Sequence, residues 1–466
     1  MPQACTLKPD CPRWGPRSAA ELIARYDGRV PRYTSYPTAP HFHEGVGEAQ
    51  YRGWLRRLDP ADAVSLYLHV PFCEQLCWYC GCHTAASPRA EPVADYAARL
   101  LDEIALVTEA VGRRLNVGAI HFGGGTPNIL SGADFGSILD RLRTGFRLGP
   151  DTELAVECDP RTLTRDWIEA AVSAGVNRIS LGVQDVDPKV QRAVHRWQPF
   201  SRTRWAVETL REAGIAAINL DLMYGLPHQT TMGLRATVEQ VLTLAPDRIA
   251  LFGYAHVPWM KPAQRLIPEE ALPGPLERFR QQEVAADDLE ERGYVRVGLD
   301  HFARPGDRLA RALARGTVRR NFQGYTTDQA ETLIGLGASS IGHLPAGYVQ
   351  NVVKVPLWRT AVGRGHLPVA RGLVLSTEDR FRGEIIARLM CDLAVDLLDV
   401  AGRHDVSPDG LLPDLVRLCR FEQDGLIRRR DRYLTVTERG RPFVRAICAV
   451  FDRYLDPCSI RHAPSI

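Results

Sequence analysis

Four cysteines with the spacing C-x3-C-x2-C-x-C are the residues of this sequence best suited to carry chemistry. Their thiolates suit zinc or an iron–sulfur cluster. Structural zinc often uses two separated C-x2-C pairs, and no second pair follows here. Cys73, Cys77 and Cys80 can hold three irons of a [4Fe–4S] cluster and leave the fourth iron open to a ligand. Cys82 as a fourth ligand would close the cluster and make it an electron carrier, so this alternative and zinc both stay open.

Glycines and polar residues stand where short apolar runs of the sequence end. Glycine lets backbone N–H and C=O groups approach a ligand closely, because no side chain is in the way. The residues at these ends are Gly123–Gly125, Glu157, Asp159, Gln184, Asp185, Asp221, Tyr224–Gly225 and Tyr254–His256.

The apolar runs alternate with helical stretches, which predicts an α/β fold. Parallel strands with right-handed crossovers follow from this alternation, hence a closed or partial α/β barrel. Its active site is expected at the C-terminal edge of the strands. The predicted strands are Ser65–Val70, Ala119–Phe122, Glu153–Cys158, Arg178–Val183, Ala217–Leu222 and Arg248–Tyr254. The predicted helices are Val93–Val111, Asp134–Thr144, Arg165–Ala174, Ser201–Ala213 and Met232–Leu244.

We predict three parts: an irregular N-terminal arm (1–63), the barrel (64–360) and a mainly helical C-terminal domain (370–466). A seventh strand-like run covers Tyr294–Leu299. The apolar stretch Ile385–Val400 predicts one amphipathic helix, because its charges fall on one helical face. Asp424–Gly440 resembles a short hairpin between helices, as in a winged helix or a small packing domain.

Composition excludes several classes of protein. The net charge of +3 gives no strong field for nucleic acid, and no run approaches the roughly 18 apolar residues of a membrane span. Pro, Asp and Lys interrupt the first 15 residues, unlike a signal peptide. The odd count of 11 cysteines argues against a disulfide framework. We therefore expect a cytoplasmic protein with no membrane span and no nucleic-acid partner.

The cysteine motif, placed directly after the first strand of a partial barrel, is similar to that of the radical S-adenosylmethionine (SAM) superfamily. Members of this superfamily bind the methionine amino and carboxylate groups at the open iron and release a 5′-deoxyadenosyl radical. They also have a glycine-rich turn after the second strand, which HFGGGTPN at 121–128 resembles.

The chain from Arg32 to Thr327 resembles the oxygen-independent coproporphyrinogen III oxidases of heme biosynthesis. The resemblance implies an oxidoreductase that decarboxylates two propionates of coproporphyrinogen III to vinyl groups, giving protoporphyrinogen IX. A heme chaperone or a heme-degrading methyltransferase of the same branch is the alternative. Cys82 and the segment RYTSYPT favour the oxidase. The matching segments are RYTSYPT, LYLHVPFCEQLCWYCGC, HFGGGTPN, VECDP, SLGVQD, NLDLMYGLP, YAH, DHFARP and RNFQGYTT.

The resemblance also implies site residues. Those implied for the cluster-bound SAM are Tyr67, Gly124, Glu157 and Ile341. Those implied for a second SAM are Tyr79, Gly125, Thr126, Gln184, Arg196, Asp221 and Ala255. Cys158 and Gly253 depart from the family's pattern, and Gly253 removes a side chain near the second adenosine site.

The partners follow from the implied reaction. Coproporphyrinogen III carries four carboxylates, so basic residues should line its pocket, with Arg32, Arg304 and Arg320 as candidates. A low-potential electron donor such as flavodoxin or ferredoxin is implied, and we expect a monomer.

Overall fold

The computed structural model describes residues 17–455. The outer ends of the predicted arm and C-terminal domain, residues 1–16 and 456–466, lie outside the described residues. Within the described range no helix is long and apolar enough to cross a bilayer.

A twisted sheet of twelve strands forms the centre of the molecule. The order across it is β12-β11-β10-β9-β1-β2-β3-β4-β5-β6-β8-β7. In the described residues the edge strands β12 and β7 do not pair with each other, and Gly372 of β12 forms an isolated bridge with His43. The fold is therefore a partial barrel, as predicted. The strands are β1 (Ala63–Val70), β2 (Asn116–Gly124), β3 (Arg147–Cys158), β4 (Arg178–Gln184), β5 (Ala217–Tyr224), β6 (Arg248–Gly253), β7 (Val295–Val297), β8 (His301–Ala303), β9 (Thr332–Leu336), β10 (Ile341–Leu344), β11 (Gly347–Asn351) and β12 (Val369–Val374).

Strands β1 to β6 pair in parallel, and all six coincide with predicted runs. The seventh parallel strand is β9, which lies beside β1 and was not predicted. The run Tyr294–Leu299 instead contains β7, a short antiparallel edge strand. The sequence TLIGL of β9 is too short for a clear period, so pairing with β1 decides its conformation.

Helices cover the sheet, and each of the five predicted helices is present within two residues of its predicted ends. Side-chain caps at Ser131, Thr164 and Thr230 fix where three of them begin. The helices are α1 (Ala19–Tyr26), α2 (Glu48–Arg56), α3 (Glu91–Val111), α4 (Gly132–Gly145), α5 (Arg165–Ser173), α6 (Pro188–Ala193), α7 (Phe200–Glu212), α8 (Thr231–Leu242), α9 (Pro275–Glu291), α10 (Arg308–Ala314), α11 (Val355–Gly363), α12 (Thr377–Asp392), α13 (Leu397–Arg403), α14 (Leu412–Gln423) and α15 (Val444–Cys448).

The C-terminal part has its own core, and the arm contributes to it. Tyr26, Tyr33 and Tyr36 of the arm pack among apolar side chains of α12, α14 and α15. The predicted hairpin is present as strands Ile427–Arg430 and Tyr433–Val436, joined by a third short strand, Ala394–Asp396.

The prediction of one helix over Ile385–Val400 is wrong. Helix α12 ends at Asp392, and Leu393 has a left-handed φ of 56°. The next three residues pair with the hairpin before α13 begins at Leu397. Pairing with strand Tyr433–Val436 outweighs the local helical periodicity here.

Candidate active site

The cysteine loop leaves the carboxyl end of β1. Its base is closed by parallel pairing of Phe72–Cys73 with Ala85–Ala86. Cys77 is buried, Cys73 and Cys80 are half-buried, and Cys82 is exposed. All four line one cavity of about 370 Å³ at the carboxyl edge of the parallel strands. The structure thus brings the predicted cluster ligands to the expected edge.

Hydrogen bonds lower the pKa values of the Cys73 and Cys80 thiols. Thr126 Oγ1 donates to Cys73 Sγ at 3.3 Å, and Thr84 Oγ1 lies 3.4 Å from the same sulfur. Burial raises the pKa of Cys73, which the two hydroxyls partly oppose. A side-chain hydrogen bond from Cys82 lowers the pKa of Cys80 to about 6, and the Cys82 N–H donates to the same sulfur at 3.4 Å. The thiolate, which is the metal-binding form, is thereby favoured at Cys80.

The geometry of the thiols fits a cluster better than a single ion. Within residues 17–455 no three Cys, His, Asp or Glu side chains stand close enough together to bind one metal ion. The three thiols surround a shared space instead. In a cubane each thiolate binds its own iron, whereas structural zinc needs four ligands at about 2.0–2.3 Å.

An ion-pair cluster lies directly behind Cys77. Arg196 is buried, and its Nη1 donates to Cys77 Sγ at 3.4 Å while its Nη2 donates to Gly182 O at 2.6 Å. Asp159 pairs with Arg196 at 3.3 Å and with Arg161 at 2.6 Å. Burial alone would raise the pKa of Asp159, but the two guanidinium groups hold it at about 2. Arg196 is therefore a buried, fixed positive charge beside the sulfur of Cys77.

The glycine turn at the end of β2 forms a cradle. Gly124 has a φ of 115°, and a Cβ there would lie 2.6 Å from the His69 ring. A Cβ on Gly125 would lie 2.6 Å from Thr84 Oγ1. Only glycine fits this backbone, which leaves peptide groups open to a ligand. The Gly124 N–H also donates to Glu157 Oε2 at 3.2 Å.

Glu157 stands at the rim of this cradle. His121 Nε2 lies 2.9 Å from Glu157 Oε1, and the Tyr67 ring stacks on His121 at 5.9 Å. Burial opposes ionisation, yet hydrogen bonds from His121 and a backbone N–H hold the pKa of Glu157 below its ordinary value. The Ile341 backbone lies against Gly335, the strand partner of Tyr67. A charged carboxylate and an aromatic face thus stand together here, and the carboxylate can accept hydrogen bonds from an ammonium or a hydroxyl group.

A second polar group lies across the cavity on β4 and β5. Asp221 accepts hydrogen bonds from Ser180 Oγ at 3.0 Å and Asn219 Nδ2 at 2.7 Å. Burial, with Glu157 nearby, raises the pKa of Asp221 to about 6. Gln184 ends β4 with a left-handed φ of 70°, next to a break in the β4–β5 register at Gly182. Such strain at a strand end is characteristic of binding sites.

Most predicted cofactor residues line the cysteine cavity. Tyr67 and Ile341 are not among its lining residues and lie on β1 and β10, on either side of β9. Ala255 lies in a separate recess at the end of β6. His121, Arg161 and Asn219 were missed, although each lies within three residues of a strand-end residue that was noticed. The predicted residues that line the cavity are Tyr79, Gly124, Gly125, Thr126, Glu157, Gln184, Arg196 and Asp221.

The three candidate arginines separate into two places. Arg32 and Arg320 meet in the recess that contains Ala255. Arg304 lies at the opposite, amino end of β6, where its N–H donates to Asp247 O at 3.0 Å. Its assignment to the substrate pocket is wrong, because β8 runs antiparallel to β6 and therefore ends at the amino end of β6.

Comparison with known proteins agrees with this geometry. A model of the radical SAM superfamily matches residues 67–241, and a model of the HemN C-terminal domain matches 375–443. The chain is 49% identical over 448 residues to oxygen-independent coproporphyrinogen III oxidase of Bradyrhizobium diazoefficiens, covering 96% of this chain and 100% of that protein. It is 41% identical to the enzyme of the same name from Pseudomonas aeruginosa, covering 96% and 97%.

Among solved structures, coproporphyrinogen III oxidase (HemN) from Escherichia coli, a radical SAM enzyme, superposes with a TM-score of 0.88 at 35% identity. The match covers 94% of this chain and 99% of that one. This likeness extends through the arm, the partial barrel and the C-terminal domain. The chain therefore belongs to the oxygen-independent coproporphyrinogen III oxidases, a family of radical SAM enzymes.

Proposed function

We propose that this protein converts coproporphyrinogen III to protoporphyrinogen IX without oxygen. Each of two propionates loses a hydrogen atom from its β-carbon, then carbon dioxide and one electron, and becomes a vinyl group. The observation that carries this proposal is the convergence of three cysteines, a glycine cradle and two carboxylates in one cavity of a family member. We also propose that the chain divides into an arm (1–63), a barrel (64–360) and a C-terminal domain (370–466).

The donor set fits a [4Fe–4S] cluster on Cys73, Cys77 and Cys80, with SAM beside it. When bound, these groups supply a 5′-deoxyadenosyl radical that can take a hydrogen atom from the substrate. Tyr67, Gly124, Glu157 and Ile341 would hold the first SAM. The residues proposed for a second SAM are Tyr79, Gly125, Thr126, Gln184, Arg196, Asp221 and Ala255.

The side chains of the cavity have distinct tasks in this scheme. Glu157, kept charged by His121, would bind the SAM ammonium or a ribose hydroxyl. Asp159 holds Arg196 against Cys77, so that a positive charge stands beside the cluster. Asp221 and its two hydrogen-bond donors would orient the second ligand.

Room for the tetrapyrrole is provided by a second cavity of about 760 Å³. It lies between the arm at Tyr33–Tyr36, the hairpin 319–326 and helix α12, and it shares Asn321, Thr326 and Asp328 with the cysteine cavity. A substrate there could reach the cofactors while the arm shields the reaction from water.

We further propose that the protein acts as a cytoplasmic monomer and receives electrons from a low-potential donor such as flavodoxin or ferredoxin. The exposure of Cys82 supports only the electron-donor part of this proposal, because a donor could approach the cluster from that side.

The decisive experiment is anaerobic incubation of reconstituted protein with SAM, a reductant and coproporphyrinogen III. We expect protoporphyrinogen IX and 5′-deoxyadenosine together, and a Cys77→Ser variant should form neither. Deoxyadenosine without porphyrin product would move the substrate elsewhere. Neither product from cluster-loaded protein would favour the heme chaperone, and zinc in place of iron would overturn the cofactor assignment.

A further inference from the structure

A recess at the carboxyl end of β6 collects positive charge from distant parts of the chain. Four arginines line it: Arg32 from the arm, Arg278 from α9, Arg320 from the hairpin 319–326 and Arg445 from α15. Among the described residues that line it, Asp300 is the only carboxylate. Even Arg32 and Arg320 alone leave a surplus of positive charge over this single acid.

Arg320 forms part of the wall of the recess, and two of its side-chain nitrogens have no hydrogen-bond partner within the described residues. Its side chain is only 6% exposed, and its guanidinium lies over the Tyr325 ring at 4.5 Å. Nη2 donates to Arg32 O at 3.4 Å, whereas Nε and Nη1 have no hydrogen-bond partner within the described residues. Asp300 stays 3.9 Å away. Burying a guanidinium with two unused donors is costly unless an anion completes the site.

Arg32 faces the same space. Its Nη2 donates to Gly253 O at 2.8 Å, and Arg32 is an exposed residue. Arg445 donates to the carbonyls of Pro31 and Val30, which fixes the arm beneath Arg32.

We propose that this recess is a carboxylate-binding subsite that takes one propionate of the tetrapyrrole, with Arg320 and Arg32 as its donors. The proposal rests on the proposed function, because coproporphyrinogen III supplies the carboxylate. Arg320 also lines the 760 Å³ cavity, so an anchored propionate would leave the ring in that cavity. The methionine carboxylate of a second SAM is the other source of the same chemistry, because Ala255 lines the recess too.

The test compares Arg320→Gln and Arg32→Gln with Arg304→Gln, a matched control at the opposite end of β6. Binding of coproporphyrin III and of its tetramethyl ester is titrated by fluorescence in one detergent solution, under anaerobic conditions, with cluster-loaded protein. We expect each recess variant to bind the acid roughly 10- to 100-fold more weakly, the loss for one charge-assisted hydrogen bond, and to bind the ester as wild type does. Arg320→Lys should recover part of the loss, and Arg304→Gln should change nothing.

Three outcomes would overturn the subsite. The first is that the recess variants bind the acid as wild type does, and the second is that they lose equal affinity for the acid and the ester. The third is that they bind porphyrin normally but lose the SAM-induced change in the cluster's electron paramagnetic resonance spectrum. The last result would assign the recess to SAM. Wild-type protein that fails to convert coproporphyrinogen III would refute the proposed function itself, whereas normal conversion with unaffected variants would refute only the subsite.

Discussion

Two buried carboxylates, one on a helix and one at the carboxyl edge of the strands, have opposite pKa shifts. Glu103, on α3, is 1% exposed and accepts hydrogen bonds from the Gly337 N–H at 2.7 Å, Asn351 Nδ2 at 2.6 Å and Trp358 Nε1 at 3.1 Å. Burial raises its pKa to about 7. Asp159, directly after β3, is 7% exposed, and its two arginine partners hold its pKa at about 2.

The difference lies in the donors. Neutral donors satisfy Glu103 without offsetting the cost of burying its charge, so this acid joins β9, β11 and α11 as a structural element. Guanidinium donors keep Asp159 charged, and in return Asp159 holds Arg196 on the sulfur of Cys77. Of these two buried acids, Glu103 has neutral partners and a structural role, whereas Asp159 has charged partners, one of which reaches the sulfur of Cys77.

The largest effect is expected from Asp159→Asn. It leaves Arg161 and Arg196 buried without a counter-charge, which costs about 3–5 kcal/mol for a broken buried pair. We expect the rate of 5′-deoxyadenosine formation to fall about 100-fold or more, because Arg196 is released from Cys77. Asp140→Asn, which removes an exposed ion pair with Arg143, is the control and should change neither stability nor rate. A wild-type rate in the Asp159 variant would contradict a functional role for this pair.

The next effect is a pH dependence of stability at Glu103. Its folded pKa of about 7 lies above the value of 4.5 for an unfolded chain. The folded protein therefore binds the extra proton, and stability present below pH 4.5 is lost as pH rises through about 7. The change amounts to about 3 kcal/mol. Urea unfolding at several pH values should show a free energy of unfolding that falls with rising pH in wild type and not in Glu103→Gln. The variant should form 5′-deoxyadenosine at the wild-type rate. Parallel pH profiles would show that Glu103 is already ionised in the folded protein.

The contrast also marks what the sequence could predict. The strand-end residues Glu157, Gln184 and Asp221 were found because each follows its own apolar run, and parallel strands must bring those ends together. The sequence around Glu103 gives no sign of its role, since its partner Gly337 is 234 residues away. Long-range contacts also determine other features that the sequence did not predict. Strand β9 depends on its pairing with β1, and the recess brings together Arg32 and Arg320, which are 288 residues apart.

Asp221 lies between the two extremes and should give a smaller, pH-dependent effect. Burial raises its pKa to about 6, so the carboxylate is charged at neutral pH and gains a proton below pH 6. We expect SAM affinity at the second site to fall about tenfold for each pH unit below 6. Titrations between pH 5 and 8 should show the fall in wild type and a flat profile in Asp221→Asn. Affinity at the Glu157 site should hold over this range, because the pKa of that carboxyl lies below its ordinary value. A fall at both sites would point to a shared group instead.

The smallest effect is expected at Gly253, the departure noted in the sequence. A Cβ there would lie 2.8 Å from Tyr224 Oη, so Gly253→Ala must push the ring aside at a cost of about 1–3 kcal/mol. The same shift moves the Gly253 carbonyl that accepts from Arg32. We expect KM for coproporphyrinogen III to rise about threefold, as suits a weakened rather than a removed contact, while KM for SAM stays constant. The opposite pattern would return Gly253 to the adenosine site, as the sequence suggested, and would make the recess a closed structural cluster like that of Glu103.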